Sequence, residues 1–195
     1  MNEKEKQLVE LKKQIEDDKS LPLSTNLVFG EGDIHCKVLF IGEAPGEKED
    51  QLMRPFVGRA GQLLNKSLEG IGWKREEVYI TNIVKRRPPN NRDPLPEEIE
   101  VYKPYLTKQI EIINPVLIAT LGRFSMNYFL PDAKIMKDQG KLFRVGNYFV
   151  YPILHPAAAL RGNTFMALFV ESIKKLPKAV EKVEKLKKGE TITNG

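Results

Sequence analysis

The chain has 195 residues, 41% of them hydrophobic, which favours one compact domain with a sizeable core. Its formal net charge of +5 makes nucleic acid a partner to consider wherever the positive charge clusters, and its single cysteine excludes an internal disulfide. No apolar run approaches the roughly 20 residues that span a bilayer, and the first twenty residues lack the apolar core of a signal peptide, so we expect no membrane association and an intracellular, cytoplasmic protein.

The first half of the chain predicts a short amphipathic helix followed by two strand–helix units. Apolar residues recur among charges near the N-terminus, which is typical of a helix that packs on the outside of a core. Glycines and prolines punctuate the later elements. The predicted elements are a helix over residues 3–18, a strand over Val38–Ile41, a helix over Arg59–Ile71, a strand over Val78–Thr81 and, after a polar loop, a helix from Pro96 to Ile113.

The second half of the chain repeats the strand–helix unit and then adds a hairpin. A continuous apolar run closed by Gly122 predicts a buried strand, and Gly146-Asn147 is a typical hairpin turn. The predicted elements are a strand over Val116–Leu121, a helix over Arg123–Phe129, hairpin strands over Lys141–Val145 and Tyr148–Leu154, and a last helix over Thr164–Leu186.

Strands that alternate with helices predict an α/β fold. Because the central strands are continuous apolar runs, we expect a mainly parallel, four-stranded central sheet covered by helices on both faces, in three layers. We interpret residues 1–195 as a single domain. It would comprise an N-terminal helix and linker over residues 1–26, a catalytic core over residues 27–180, and a basic, flexible tail over residues 181–195.

Three polar side chains follow directly after predicted strands. Glu43, Asn82 and His155 should therefore open into one crevice, because ligands of such sheets bind outside the carboxyl ends of the strands. Phe56 lies in the loop beside that crevice. An asparagine amide suits the edge of a pyrimidine and an aromatic ring supplies a stacking face, so the expected ligand is a nucleobase.

Positive charge clusters in the loop after the second predicted strand. Lys85, Arg86, Arg87 and Arg92 lie close together around two prolines, and we expect the first three to contact DNA. Arg123, after the turn at Gly122, is a further candidate for a phosphate contact. The lysines of the C-terminal helix are interpreted as a solvated face.

These motifs together resemble those of the uracil-DNA glycosylases, and most closely family 4. The resemblance covers about residues 27–170. It implies an α/β/α sandwich that flips deoxyuridine out of DNA and hydrolyses the bond between base and sugar, with no lyase activity. The stretches that carry it read GEAPGEKED, PFVGRAGQLL, YITNIVKRRPPNNRDP, TLGR and HPAAALR.

The resemblance also implies roles for individual residues. The segment around Glu43 and Ala44 would hold the attacking water and the base, with Glu49 close by, and the residues leave open which acid positions the water. Phe56 would stack on uracil, Asn82 would bind its edge, and His155 would lie beside O2 of the departing base. Leu160 and Arg161 would fill the gap left by the flipped nucleotide. The implied partner is uracil-containing DNA, and we expect a monomer associated with the nucleoid. The sequence leaves open whether a replication clamp or polymerase also contacts the protein.

One departure from the family concerns its iron–sulfur cluster. Family 4 members usually hold a four-iron, four-sulfur cluster on four cysteines, two near the N-terminus, one after the second strand and one in the next helix. Arg86 and Tyr102 occupy the last two positions here, no cysteine precedes Cys36, and Cys36 matches none of the four. Because such clusters need thiolates, we expect no cluster and no other metal or cofactor.

Three alternatives have sequence features that separate them from a glycosylase. Family X, which traps its product covalently, places a histidine shortly after its basic residues, whereas this chain continues with Pro88 and Pro89. A non-catalytic uracil or DNA sensor would lose the acid or the histidine, yet Glu43 and His155 are both present. A nucleotide-binding enzyme would need a phosphate-binding glycine motif, which GEAPG does not match.

Overall fold

A computed structural model gives the fold and describes residues 1–189. Within this range there are eight α-helices and six β-strands. The helices are α1 (Glu3–Asp17), α2 (Glu47–Leu52), α3 (Arg59–Glu69), α4 (Pro96–Ile113), α5 (Arg123–Phe129), α6 (Ile135–Asp138), α7 (Pro156–Ala159) and α8 (Asn163–Lys187). The strands are β1 (Glu31–Gly32), β2 (Val38–Gly42), β3 (Tyr79–Asn82), β4 (Leu117–Leu121), β5 (Phe143–Val145) and β6 (Tyr148–Ile153). Two 3-10 turns, Arg75–Glu77 and Pro89–Asn91, precede β3 and α4.

The strands form one sheet in the order β1-β3-β2-β4-β6-β5. The four central strands are parallel, whereas β1 and β5 pair antiparallel at the two edges. The predicted α/β class and mainly parallel sheet are confirmed, but the described sheet has six strands instead of four. The difference lies at the edges: β5 is the first arm of the predicted hairpin, and β1 has only two residues, too few to show an alternating pattern.

Helices cover both faces of the sheet and give it three layers. Successive residues of β2 point to opposite faces, so Phe40 packs beneath α3 and α8 while Leu39 packs beneath α1 and α4. Every residue of β2 and β4 is buried, as expected for parallel strands enclosed on both sides. The first core receives Leu64 and Leu68 from α3 and Phe169 and Ile173 from α8; the second receives Leu8 and Leu11 from α1 and Leu106 and Ile110 from α4.

Three short helices and the end of the chain depart from the predicted elements. The helices α2, α6 and α7 have four to six residues each, too few for apolar periodicity to mark them. The helix α8 ends at Lys187, one residue beyond the predicted end at Leu186, and Val183 still packs into the core. Residues 181–187 therefore belong to this helix, and the tail that was expected to begin at residue 181 does not begin there. Residues 190–195 of that tail lie outside the described part of the chain. Among the described residues, no helix combines the length and apolar character needed to cross a membrane.

Candidate active site

The predicted site residues lie around a single cavity at the carboxyl ends of the parallel strands. Its volume is about 310 Å³. Glu43 follows β2, Asn82 ends β3 and His155 follows β6, so three strands that are distant in sequence deliver these side chains to one edge. The cavity brings together all six residues predicted to act in catalysis or uracil binding, namely Glu43, Ala44, Glu49, Phe56, Asn82 and His155.

Phe56 forms one wall of the cavity from an unusual backbone conformation. Its φ angle is +50°, in the left-handed region that aromatic residues rarely adopt. The ring packs directly on Gly42, where an added Cβ would lie 2.5 Å from the ring. The centroid of the His155 ring is 5.7 Å from that of Phe56. A glycine at position 42 is therefore required for the ring to lie where it does.

Asn82 presents an unpaired polar atom to the cavity. Its side chain is 1% exposed, and Oδ1 has no hydrogen-bond partner. A buried polar atom without a partner is unfavourable, by roughly 1–3 kcal/mol. Such an atom in a cavity wall is explained if a ligand supplies the missing donor.

His155 is held as a neutral imidazole. Its Nδ1 accepts a hydrogen bond from the Ala157 N–H at 3.1 Å, at the start of α7. Burial lowers the pKa of His155 to about 4, and the nearby Glu49 carboxylate only partly opposes this. With Nδ1 acting as an acceptor, the ring proton lies on Nε2, which is then free to donate to a bound ligand.

The two acids of the cavity have different surroundings. One carboxylate oxygen of Glu49 accepts hydrogen bonds from Val57 N–H at 2.9 Å and Gly58 N–H at 2.7 Å, just before α3 begins. Glu49 thus anchors the loop that carries Phe56. Burial, together with the charge of Asp93, raises the pKa of Glu43 to about 7, so Glu43 gains and loses its proton near neutral pH.

The residues predicted to contact DNA divide into surface and interior positions. Leu160 and Arg161 are exposed at the end of α7, beside the cavity. Arg123 is also exposed and pairs with Asp93 at 2.9 Å. Arg87 is partly buried and donates from Nε to Asn91 Oδ1 at 2.7 Å. All four side chains are at least partly accessible at the surface.

The predicted DNA contact of Lys85 is not compatible with its position in the structure. The side chain is 0% exposed, and Nζ donates to Thr81 Oγ1 at 2.6 Å, the Asn82 carbonyl at 2.8 Å and Gln109 Oε1 at 2.5 Å. Burial holds its pKa well below the ordinary value. The three residues after β3, Ile83 to Lys85, are all buried, so this lysine supports Asn82 from the interior and is not accessible to DNA.

One part of the cavity wall was not predicted from the sequence. Pro88, Asn91 and Arg92 line it from the loop after β3. Arg92 is held there by two hydrogen bonds to Glu98, at 2.8 and 2.6 Å. The signal that could have located this wall is the Pro-Pro-Asn-Asn stretch, a strong turn pattern in which Asn91 has a positive φ of 54°.

The corner where family 4 proteins carry their cluster holds other groups in this chain. Tyr102 is fully buried, and its hydroxyl, although near the Arg86 guanidinium, makes no hydrogen bond with it. Arg86 instead donates to the Thr25 carbonyl. Burial raises the pKa of the Cys36 thiol to about 12. Neither Arg86 nor Tyr102 can supply a thiolate, so these residues do not fit an iron–sulfur cluster. Over residues 1–189, no group of three or more histidine, cysteine or acidic side chains could hold a metal ion.

Comparisons with known proteins match most of the chain. A family model described as the uracil DNA glycosylase superfamily matches residues 29–177. A Type-4 uracil-DNA glycosylase of Sulfurisphaera tokodaii is 45% identical over 162 residues, covering 78% of this chain and 74% of that protein. One of Thermotoga maritima is 44% identical over 163 residues, covering 81% and 85%. A DNA polymerase of Bacillus phage SP01 is 30% identical over 153 residues, covering 78% of this chain and 17% of the polymerase.

Proposed function

Because the chain belongs to the uracil DNA glycosylase superfamily, as its motifs predict, we propose that it excises uracil from DNA. The reaction hydrolyses the bond between uracil and deoxyribose and leaves an abasic site for base excision repair. One observation supports this most directly. The unpaired Oδ1 of Asn82, the ring of Phe56 and the imidazole of His155 face a cavity large enough for a single base.

Asn82 and Phe56 would recognise the everted base. Uracil presents a donor at N3 and an acceptor at O4, and the amide of Asn82 offers the complementary acceptor and donor. Cytosine presents an acceptor at N3, which would face Oδ1 and leave it unpaired, so cytosine is rejected. Phe56 supplies the stacking face for the pyrimidine ring.

His155 would stabilise the departing base. As the bond from C1′ to N1 breaks, its electron pair stays on uracil, and negative charge accumulates partly on O2. The Nε2–H of neutral His155 donates to O2 without the ring first having to gain a proton. An imidazolium is not needed for this role, and a pKa of about 4 makes one scarce at neutral pH.

Glu43 would position and deprotonate the attacking water. The water oxygen bonds to C1′ on the side opposite uracil and transfers a proton to the carboxylate. A pKa of about 7 leaves Glu43 substantially ionised at neutral pH and still basic enough to take that proton. Glu49 instead holds the loop before α3. Because water is the nucleophile, the enzyme is monofunctional and leaves the abasic strand intact.

The exposed side chains around the cavity would supply the free energy of base flipping. Extruding a nucleotide costs a few kcal/mol of stacking and pairing. Leu160 would enter the gap in the base stack, and Arg161 would hold the adjacent backbone. Arg87 and Arg123 would contact phosphates; Arg123 must then exchange its pairing with Asp93 for a pairing with DNA. Arg86, also predicted to contact DNA, would not, because its guanidinium donates to the Thr25 carbonyl.

The proposed enzyme works without an iron–sulfur cluster and as a monomer. In place of the cluster, the side chains of Tyr102 and Arg86 pack the corner between α4 and the N-terminal segment. A contact with the replication machinery is part of the proposal, since a related segment of similar length lies within a phage protein named as a DNA polymerase. Such an enzyme would act on the nucleoid.

The proposal is tested by incubating the protein with an oligonucleotide that contains one uracil and then cleaving abasic sites with alkali. We expect strand cleavage at uracil and none in the same oligonucleotide with thymine.

Asn82→Ala and His155→Ala should each lower the single-turnover rate by about 100-fold or more. Lys12→Ala, an exposed change on α1, is the control and should keep the rate. Tight binding to uracil-containing DNA without cleavage would identify a non-catalytic sensor instead.

A further inference from the structure

Arg75 lies outside the cavity, yet its side chain reaches the loop that carries the stacking ring. It belongs to the 3-10 turn before β3, and its side chain is 14% exposed. Nε and Nη2 donate to Glu31 Oε1 at 2.9 and 2.7 Å. Nη2 also donates to the Pro55 carbonyl at 2.5 Å, and Nη1 to the Phe56 carbonyl at 3.1 Å and to Asn65 Oδ1 at 2.8 Å. A guanidinium has five N–H donors, and all five are used here.

Two of these five donors fix consecutive carbonyls of the loop over residues 55–58, called here the Phe56 loop. The Pro55 and Phe56 carbonyls both turn toward one planar group, which is compatible with the left-handed backbone of Phe56. A non-glycine residue keeps such a conformation only where its surroundings impose it. Arg75 is one of the groups that impose it.

A carboxylate holds the N–H groups of the same loop. The Glu49 carboxylate accepts from the N–H groups of Val57 and Gly58, immediately after the carbonyls bound by Arg75. Gly61 packs against the Phe56 carbonyl, since an added Cβ there would lie 1.8 Å from its oxygen. The Arg75 guanidinium binds two carbonyls of the loop and the Glu49 carboxylate binds the next two N–H groups, so together they define its path.

Glu31 keeps the guanidinium in place. It accepts from Arg75 through Oε1 and from Arg54 Nε through Oε2 at 2.7 Å. Although burial opposes ionisation, hydrogen bonds from Arg54 and Arg75 lower the pKa of Glu31, so it remains a carboxylate. Arg54 shares this partner but makes no described hydrogen bond to the Phe56 loop, and its side chain is 57% exposed.

We infer that Arg75 is a positioning residue for base recognition, which acts by holding Phe56 in the conformation that stacks on the flipped base. This inference rests on the proposed uracil excision. Lysine cannot replace Arg75, because an ammonium has three donors and no planar fork with which to span two carbonyls, a carboxylate and an amide. Since Phe56 stacks on the base before and during bond cleavage, loss of its position should raise KM more than it lowers kcat.

A double-mutant cycle on the full-length protein tests this inference, with uracil excision by the wild type measured first. Base–aromatic stacking predicts that Phe56→Ala lowers kcat/KM by about 10- to 100-fold. Arg75→Lys should lower it by about tenfold, mostly through KM. In the Phe56→Ala background, Arg75→Lys should have no further effect, because Arg75 acts through the ring that is already gone.

Arg54→Lys is the matched control, since it changes the other arginine bound to Glu31, and it should keep the wild-type KM and kcat. Asn65→Ala removes a single partner of Arg75 and should give a smaller rise in KM, also absent in the Phe56→Ala background. This milder variant decides the case if Arg75→Lys does not fold. The inference would be overturned if these changes lowered kcat/KM equally with and without the Phe56 ring. It would also be overturned if they left KM unchanged when the ring is present. Loss of excision by the wild type would instead count against the proposed function.

Discussion

The rings of Phe56 and His155 lie 5.7 Å apart, with their planes inclined by 37°. Phe56 belongs to a loop fixed by Glu49, whereas His155 is fixed by the start of α7. A base that stacks on the first ring and accepts a hydrogen bond from the second must satisfy both at once. In the proposed reaction, the relative placement of these two rings would set the orientation of uracil when its bond to the sugar breaks.

Glu43 should give the reaction its pH dependence. Only the ionised carboxylate can take a proton from water, and burial raises the pKa of Glu43 to about 7. The single-turnover rate of the wild type should therefore rise with pH up to about 7 and level off above it. His155, with a pKa of about 4, contributes no step in this range. Glu43→Gln should be slower by about 100-fold and should lack the inflection; if it persists in this variant, another group is responsible.

Glu43 should also make the folded state less stable as pH rises. Its pKa is raised in the folded protein, so folding favours the neutral form, and stability declines between the ordinary value of 4.5 and about 7. Glu43→Gln, which stays neutral, should therefore have a higher Tm than the wild type at pH 8 and a similar Tm at pH 4. Thermal unfolding at both pH values measures this. Glu47→Gln changes an exposed acid of the same segment and is the control.

Lys85 and Arg161 should differ in how their loss affects DNA binding. Lys85→Met leaves the partners of a buried amine unpaired, so it should destabilise the fold by about 1–3 kcal/mol while leaving the salt dependence of binding unchanged. Arg161→Ala should reduce the slope of log K against log salt by about 0.9, the value for one phosphate contact, without loss of stability. Binding titrations at several salt concentrations and chemical denaturation separate the two. A reduced slope for Lys85→Met would contradict its interior position.

The side chain of Leu160 should be needed for uracil excision from duplex DNA and should have little effect on excision from single strands. Its exposed side chain can replace a flipped nucleotide in a base stack, whereas an unpaired uracil needs no such replacement. Leu160→Ala should therefore lower the excision rate on duplex DNA by about tenfold or more and leave the rate on a single strand almost unchanged. Equal losses on both substrates would show that Leu160 does not act as a wedge.

The position of the candidate site could be predicted because it depends on strand ends. Glu43, Asn82 and His155 each follow a buried apolar run, and parallel strands bring their carboxyl ends to one edge of a sheet. The three layers follow in the same way from the alternation of strands and helices. These features depend on patterns that are local in the sequence.

What could not be predicted depends on contacts between distant segments. Lys85 lies in a row of basic residues, and nothing in that row shows that the backbone keeps its side chain inside. The link between Arg75 and Phe56 joins two turns that no local pattern connects. The anchoring role of Glu49 likewise depends on a short helix, α2, that has too few residues to leave a periodic signal.

The late position of β6 in the chain decides when the candidate site is completed during synthesis. Glu43, Phe56 and Asn82 are already present once β2 and β3 have been made, but His155 emerges only after β6, which must then pair with β4. A nascent chain at that stage contains the residues proposed to recognise a base and lacks the imidazole proposed to help release it. If these residues have the proposed roles, the site is complete only once β6, the last of the four parallel strands in chain order, has paired with β4.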